Sequence, residues 1–431
     1  MLTRPSMALS ATILSSISLL YSPYLLAQQP TQDDINQLKQ QIAELQRQLQ
    51  QLEQRIQQPE PQPEPEITET SIAEAAKPDG ITVGGAIRTN FSHTSYDDGN
   101  KNRGGDFDFD IFRLNLNGSI GDVLLNAELR IFDYMTAIKS AYVGYQFSDN
   151  WQAQAGITQV PFGNWPYNSH NYFFSANYYL GLEDDYDLGV MFRRQIADNW
   201  QLDVGFFKND ELGGVDGYVD SRADRYSYDI VGSRLPGDGI YDDPAQPLGE
   251  YNTFAGRFAY HFQHSTDFTT EAGVSALAGG LHDGERRAGN YNAWALHLNS
   301  NYQRWNLQLQ YSQYQYDIDN VDRIAVGAYA FYDSIAAEAS SATANIAYSL
   351  PVQWGPVTGL QFYNDFNLIY DKSDQSANTM MNVTGFSIAA GGLFTYFDLV
   401  HARNQPFIGS SMAANSNDTE RRFNINVGYY F

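Results

Sequence analysis

The spacing of hydrophobic positions along the chain changes near residue 81. Between residues 33 and 57 apolar residues recur at intervals of three and four, and from residue 81 onward apolar and polar residues alternate. Intervals of three and four are typical of a coiled-coil helix, and alternation is typical of strands with one apolar and one polar face. The pattern therefore predicts a short helix followed by a large β structure.

The helical segment 33–57 carries a heptad seam. Its apolar positions are Ile35, Leu38, Ile42, Leu45, Leu49, Leu52 and Ile56. We expect a coiled coil through which the chain associates with itself, because the seam is narrow and polar on both sides. The alternative is a helix that docks on its own barrel. Mostly Ile at heptad position a and Leu at position d favours a coiled coil of two helices by the usual rule.

The segments on either side of this helix have other roles. Residues 1–27 are predicted to be a secretory signal peptide, because Arg4 precedes an apolar stretch that ends at Ala27. A membrane anchor is the alternative, which Pro23 and the many serines disfavour. Residues 58–80 begin with alternating proline and glutamate or glutamine, which predicts an extended linker. No later segment has the roughly 18 apolar residues of a spanning helix.

From residue 81 the alternation divides into sixteen predicted strands. Their ranges are 81–96, 106–120, 123–133, 138–147, 151–160, 186–196, 200–209, 252–262, 268–279, 292–302, 305–317, 338–349, 357–371, 382–390, 393–403 and 421–431. An even number of long strands with one apolar face is typical of an outer-membrane barrel, whereas the strands of a soluble sandwich are shorter. The fold class predicted for residues 81–431 is an all-β transmembrane barrel of 16 antiparallel strands, preceded by the coiled-coil helix.

The connections support one membrane orientation. They alternate between short turns and long loops, as in bacterial outer-membrane barrels. The tripeptide Asp-Asn-Trp occurs at 149–151 and again at 198–200. Asp-Asn is a turn sequence that tolerates left-handed backbone, and Trp151, Trp200 and Trp305 are predicted to lie in the periplasmic aromatic girdle. The last strand ends on Phe431, which resembles the assembly signal of bacterial porins.

Composition excludes several classes of function. The chain has no cysteine and a formal net charge of −24, so we expect no thiolate chemistry and no nucleic-acid partner. Its seven histidines are scattered, and neither GxSxG nor HExxH occurs. We therefore expect no enzyme, no cofactor and no metal site. His261 and His264 are interpreted as an incidental pair.

A barrel of sixteen strands encloses an aqueous channel. Taking the apolar positions as lipid-facing, the inward cations are Arg88, Arg113, Arg130, Arg193, Arg257 and Arg422, and the inward carboxylates are Glu128, Asp203, Glu271 and Asp365. The first five arginines are the predicted pore-lining residues. Those on the first three strands would form a row at mid-height that attracts anions. The alternative is that Glu128 and other carboxylates pair with them structurally.

One part of the chain resembles a known family. Arg113 with Gly118, "AYVGY" at 141–145, and Gly156 followed by "QVPFG" at 159–163 resemble the phosphate-selective O/P-type porins, most clearly across 106–210. The resemblance implies sixteen-stranded trimers that carry anions past pore-lining arginines and lysines. Because 161–185 has no lysine and the external loops are acidic, only the architecture is carried over.

Residues 161–185 occupy the position of the third external loop, which in sixteen-stranded porins folds into the barrel. The segment is rich in aromatic residues and ends in Glu183, Asp184 and Asp185. We predict that these carboxylates form the constriction and face the arginine row, which would favour dipolar or zwitterionic solutes. The alternative is an external aromatic loop that covers a subunit contact.

These observations together predict an outer-membrane porin for passive diffusion of small hydrophilic solutes and ions, including anions such as phosphate. Its expected partners are the bilayer, lipopolysaccharide and two further copies of itself, with the coiled coil in the periplasm of a Gram-negative cell. The alternative is an adhesin or receptor barrel that binds through acidic loop 211–251. This loop carries nine carboxylates and three arginines, and in the porin interpretation it is a solvated loop.

Overall fold

The computed structural model describes residues 80–431, so the signal peptide, the coiled coil and the linker predicted before residue 80 lie outside the described residues. Twenty strands occur in this range, and sixteen of them close into one antiparallel barrel. The barrel strands are β1 (Gly80–Thr94), β2 (Asp106–Ile120), β3 (Val123–Ile131), β4 (Thr136–Ser148), β5 (Trp151–Gln159), β6 (Tyr186–Ile196), β7 (Trp200–Asp210), β10 (Gly249–Ser265), β11 (Phe268–His282), β12 (Arg287–Tyr302), β13 (Trp305–Ile318), β16 (Glu338–Trp354), β17 (Val357–Tyr370), β18 (Thr379–Ala390), β19 (Leu393–Arg403) and β20 (Glu420–Tyr430).

The predicted fold class is confirmed, strand for strand. Each barrel strand pairs with its sequence neighbour in the barrel, and the first and last strands pair to close the ring, with Ala86 opposite Tyr430. The terminal residue takes part in this closure, because the Gly85 amide donates to the Phe431 carbonyl at 2.8 Å. A closed ring leaves no free sheet edge, which is the requirement for strands that cross a bilayer.

The remaining four strands form a separate small sheet, which we call the cap. They are β8 (Asp229–Ser233), β9 (Gln246–Pro247), β14 (Arg323–Ala328) and β15 (Phe331–Ala336), in the order β15-β14-β8-β9. The interpretation of 211–251 as a solvated loop is wrong in this part, because Ile230 and Val231 are fully buried. Both external connections that contribute to the cap fold into structure.

The barrel is apolar outside and polar inside. Outward side chains such as Val83, Val143 and Leu296 are at least half exposed, whereas Asn345 and Asp365 on the inner face are fully buried. This inversion is the expected arrangement for a barrel in lipid. No helix within residues 80–431 is long and apolar enough to cross a bilayer.

The two rims of the barrel differ. One rim has turns of two or three residues between consecutive strands, and its tryptophans Trp151, Trp200 and Trp305 are 39–48% exposed on the outer face, as predicted for an aromatic girdle. At the second of the two Asp-Asn-Trp turns the positive φ (50°) belongs to Ala197, the residue before Asp198. The other rim carries the long connections, among them helix α1 (Asp98–Arg103), although 132–135 and 283–286 have only four residues.

Two bulges change which side chains face inward. The register shifts between Arg88 and Thr89 where β1 pairs with β2, and between Glu128 and Leu129 where β3 pairs with β4. A bulge inserts one residue and reverses the alternation beyond it. As a result, Asp110 on β2 contacts Arg88 in the lumen.

Candidate functional site

The connection between β5 and β6, residues 160–185, folds into the barrel; we call it the inner loop. Its backbone bonds to side chains of the far wall, since the Gly163 amide donates to Ser275 Oγ at 2.8 Å and the Asn164 amide donates to Gln310 Oε1 at 2.7 Å. These partners lie on β11 and β13. The structure therefore agrees with the inward fold expected for 161–185 and not with an external aromatic loop.

Asp365 on β17 anchors the tip of the inner loop. Its carboxylate accepts the backbone amides of His170 at 2.8 Å and Asn171 at 3.0 Å, and also the Asn171 side-chain amide at 2.8 Å. The His170 ring nitrogen Nδ1 lies 2.8 Å from Asp365 Oδ1. Asp365 is fully buried, and a buried carboxylate with this many donors is well satisfied. Asp365 was predicted to face inward, but its contact with the inner loop was not predicted.

The neighbouring strand β16 holds the same loop through amide and hydroxyl groups. Asn345 donates to the Asn168 carbonyl at 2.6 Å, and Asn168 donates to Thr343 Oγ1 at 2.9 Å. The Ala176 amide donates to Asn367 Oδ1 on β17 at 2.9 Å. Side chains that both donate and accept can match the polar groups of a loop backbone, so the loop is attached along this wall.

The aromatic residues of the inner loop pack under the cap and not on a subunit contact surface. Phe173 lies 5.7 Å from Tyr329 and 6.3 Å from Phe407, measured between ring centroids. The Tyr178 hydroxyl donates to the Tyr226 carbonyl at 2.7 Å and bonds the Tyr329 hydroxyl at 2.8 Å. The cap and the inner loop thus share one aromatic cluster.

A cavity of about 600 Å³ remains between the inner loop and the wall formed by β1–β4. Its charged lining residues are Arg88, Asp108, Asp110, Arg130, Lys139, Glu183, Asp184 and Arg422. Its aromatic lining includes Tyr167, Tyr172, Phe173, Tyr226, Tyr329 and Phe407. The cavity is therefore lined by both charged and aromatic side chains. It is the candidate passage for solutes.

Arg88, Arg113 and Arg130 lie near one another on the adjacent strands β1, β2 and β3, and their role in lining the pore stays a prediction. Arg113 on β2 lies directly opposite Arg130 on β3. Arg88 on β1 lies opposite Ile111, which precedes Arg113 by two residues on β2. Arg88 Nε is 2.8 Å from Asp110 Oδ2, and Arg130 Nη2 is 2.6 Å from Glu128 Oε1. The alternative of structural pairing therefore applies to Arg88 and Arg130.

Arg113 differs from its two neighbours in the row. Its guanidinium lies 5.1 Å from the centroid of the Tyr430 ring, and the ion pairs formed within residues 80–431 do not include it. Arg422 on β20 similarly lies 5.5 Å from the Phe174 ring and donates to Asn424. A guanidinium on an aromatic face keeps its full positive charge. Among the three arginines of the row, Arg113 is therefore the one without a carboxylate in direct contact within the described residues.

The other two predicted pore arginines lie away from this row, at the base of the inner loop. Arg193 on β6 is 3.2 Å from Asp203 and lies 4.1 Å from the Trp165 ring centroid. Arg257 on β10 donates to the Gly163 carbonyl at 2.8 Å and pairs with Glu271. Both face inward, and their contacts attach the loop to the wall. Their part in conduction stays a prediction.

The three carboxylates predicted at the constriction have different surroundings. Asp184 Oδ1 is 3.0 Å from Lys139 Nζ on β4, so it joins the loop to the basic wall. Glu183 accepts the Asn168 amide at 2.8 Å within the loop, and burial raises its pKa to about 7. Asp185 does not line the cavity; its carboxylate lies beside Asp187 and Asp229.

Sequence analysis missed Lys139 and Asp110. Lys139 is 4% exposed and lies 4.8 Å from the Tyr226 ring, and Asp110 accepts the Tyr172 hydroxyl at 2.6 Å. Both residues lie next to the bulges at Glu128 and Arg88. The break in alternation between Ile138 and Val143, which both face outward five positions apart, was the available signal for Lys139.

Comparison with solved structures shows the fold. The chain is similar to OmpF of Salmonella typhi (TM-score 0.52, 9% identity, 81% of this chain and 97% of that chain) and to OprB of Pseudomonas putida (0.51, 8%, 82% and 94%). It is also similar to the outer membrane channel DcaP of Acinetobacter baumannii (0.50, 12%, 81% and 97%). No family model and no curated protein matches the chain. The resemblance to phosphate-selective porins therefore stays a prediction.

Proposed function

We propose that this chain is a porin of the Gram-negative outer membrane, through which small hydrophilic solutes and ions diffuse passively. The observation that carries the proposal is the inner loop, which narrows a sixteen-stranded barrel from one side and leaves the charged cavity along β1–β4. A loop fixed by buried hydrogen bonds narrows a lumen without closing it. The likeness of the barrel to OmpF, OprB and DcaP supports the same function.

We place the long connections and the cap on the cell surface and the short turns in the periplasm, following the usual arrangement of such barrels. The coiled coil of 33–57 would then lie in the periplasm and join the subunits of a trimer. The acidic outer rim would contact lipopolysaccharide through bridging divalent ions. These assignments belong to the proposal, and their support is the sequence pattern together with the barrel.

The charges in the cavity favour weak selectivity between anions and cations. Arg88 pairs with Asp110, Arg130 with Glu128, and Lys139 with Asp184. A cation and a carboxylate in contact largely cancel at a distance. We therefore propose dipolar or zwitterionic solutes as the preferred class, with a modest anion preference due to Arg113. Phosphate passage would depend on this arginine.

The test is ion conductance through a planar lipid bilayer. The detergent-purified, folded chain should produce stepwise increases in current, and zwitterionic solutes should reduce the current more than neutral sugars of similar size. A preparation that inserts as a folded barrel and conducts no ions would overturn the porin function.

The cap favours one second function, that of a receptor or adhesin barrel. Arg225, just before β8, forms buried ion pairs with Asp229 of the cap at 2.5 Å and with Asp210 of barrel strand β7 at 2.9 Å, so the cap is fixed to the barrel. A receptor of this kind would bind a large ligand on the cap and would show no conductance steps. The bilayer measurement separates the two functions.

A further inference from the structure

Three carboxylates meet where the inner loop, the barrel wall and the cap converge. Asp185 ends the inner loop, Asp187 is the second residue of β6, and Asp229 is the first residue of β8. One carboxylate oxygen from each lies within 4.8 Å of the others. All three residues are more than nine-tenths buried, at 8%, 1% and 3% exposure. They are therefore a buried acidic cluster and not an exposed one.

Two of these side chains have a buried oxygen that is available to a ligand. Asp185 Oδ1 and Asp187 Oδ1 are buried and accept no hydrogen bond. A buried carboxylate oxygen without a partner carries a large desolvation cost. Asp187 also lies directly opposite Asp210 in the β6–β7 register, and like charges opposite each other destabilise a strand pair.

The same carboxylates border a small cavity. Asp185, Asp187 and Glu250 line it, together with Tyr291 and Tyr316, and its volume is about 10 Å³. This is about the space of one water molecule or one ion. The cavity therefore has room for a single small ligand beside the unpartnered oxygens.

Charge decides what this ligand is. The surrounding carboxylates are Asp185, Asp187, Asp210, Glu211, Asp229 and Glu250, and the guanidinium groups paired with them are Arg222 and Arg225. Six carboxylates against two guanidinium groups leave four uncompensated negative charges when all are ionised.

We propose that Asp185, Asp187 and Asp229 bind a divalent cation of the calcium type. Calcium binds carboxylate oxygens at roughly 2.3–2.6 Å, so two of its ligands lie at most about 5 Å apart, and the three carboxylate oxygens, which all lie within 4.8 Å of one another, satisfy this limit. Glu250, which accepts the Tyr291 hydroxyl, is positioned to add a further oxygen. The cation joins the inner loop, the wall and the cap, and the binding site exists whether or not the barrel conducts. Sequence analysis, which expected no metal, had no spaced ligand motif to detect.

Terbium luminescence tests the site on the full chain, folded in detergent at pH 7.5. Terbium binds calcium sites and emits when a nearby tyrosine is excited, and Tyr291 and Tyr316 line the cavity. The wild type should show saturable emission that calcium displaces, and magnesium should displace it less well. Calcium should also raise the unfolding temperature of the wild type relative to protein in a chelator.

Asp187→Asn and Asp185→Asn should each weaken terbium and calcium binding by roughly tenfold or more, because each removes one charged ligand. Asp243→Asn, an exposed residue in the same connection, is the matched control and should bind as the wild type does. If Asp187→Asn does not fold, Asp185→Asn in the loop decides the question. A wild type without calcium-displaceable emission, or variants that bind as tightly as the wild type, would overturn the site. A wild type without such emission would mean that protons shared among the carboxylates, and not a cation, neutralise the cluster.

Discussion

The inner walls formed by β13, β16 and β17 and by β1–β4 present different polar groups to the inner loop. The first wall, here called the amide wall, contributes Gln310 and Asn345, which bond the loop backbone, and Thr343, which accepts from the Asn168 side chain. The second, here called the basic wall, contributes Arg88, Arg130 and Lys139, which pair with carboxylates and line the cavity. The inner loop therefore bonds the amide wall through both backbone and side chains, whereas it bonds the basic wall through side chains such as Asp184 and Tyr172, and the cavity lies on the basic side.

The difference follows from the chemistry of the side chains. Amides and hydroxyls both donate and accept, so they can satisfy the N–H and C=O groups of a loop. Guanidinium and ammonium groups only donate, so they can bind loop carbonyls, as Arg257 binds that of Gly163, but they cannot satisfy loop N–H groups. On the basic wall the cations instead pair with carboxylates, and the cavity lies beside these pairs.

The largest expected effect comes from the anchor on the amide side. Asp365→Ala removes the acceptor of three hydrogen bonds at the loop tip, and it leaves the buried imidazole of His170 without its carboxylate. We expect the inner loop to detach and the single-channel conductance to increase by roughly twofold or more, because an unobstructed sixteen-stranded barrel holds a wide channel.

The control for this variant is Asn117→Ala, which removes an inner-wall amide that bonds Asn126 of the same basic wall at 2.6 Å. Its conductance should stay close to that of the wild type. An Asp365→Ala barrel with wild-type conductance would show that the amide wall does not hold the loop.

A second prediction concerns pH and the loop itself. Burial raises the pKa of Glu183 from 4.5 to about 7. The folded barrel therefore favours the neutral acid, and the contribution of this group to stability is complete below pH 4.5 and is lost as the pH rises through 7. The free energy of unfolding should fall over this interval by up to about 3 kcal/mol.

Urea unfolding of the detergent-folded protein at pH 5 and pH 8 measures this loss. Glu183→Gln keeps an acceptor for the Asn168 amide and should reduce the difference between the two pH values by the amount that Glu183 contributes. Glu285→Gln, on an exposed turn, should leave the difference unchanged. Equal pH dependence in wild type and Glu183→Gln would show that Glu183 is ionised at little cost.

The sequence predicted which side chains of the two walls face inward, but not which wall the inner loop contacts. Alternation fixes which residues of a regular strand face inward, and it predicted the inward direction of Asp365, which is fully buried and bonds the inner loop. The pore-lining role of Arg113 and Arg130 stays a prediction. Alternation does not show which wall a loop contacts, because the loop and its partners are far apart in sequence; Asn168 and Asn345 are separated by 177 residues. That contact depends on which strands face each other across the closed barrel, and alternation within single strands does not show this.

Local irregularity accounts for the other residues that were missed. The bulges near Arg88 and Glu128 reverse the alternation, and this reversal hid Asp110 and Lys139, the partners that reduce the charge of the row. The cap strands were missed for another reason. β8 (Asp229–Ser233) is buried at every position and mixes polar and apolar residues over only five positions, so it shows no alternation.

The smallest predicted effect separates the members of the basic wall from one another. Arg113 forms no ion pair within the described barrel and stacks on Tyr430, whereas Arg130 is 2.6 Å from Glu128. Arg113→Gln should therefore reduce the ratio of chloride to potassium permeability, by roughly twofold, as measured by reversal potential in asymmetric KCl. The double variant Glu128→Gln/Arg130→Gln removes a cation and an anion together, and it should change the ratio less than Arg113→Gln does. If the double variant changes the ratio more, the Arg130–Glu128 pair acts on ions as separate charges. The basic wall would then select anions along its whole row, as the resemblance to phosphate-selective porins implies, and not through Arg113 alone.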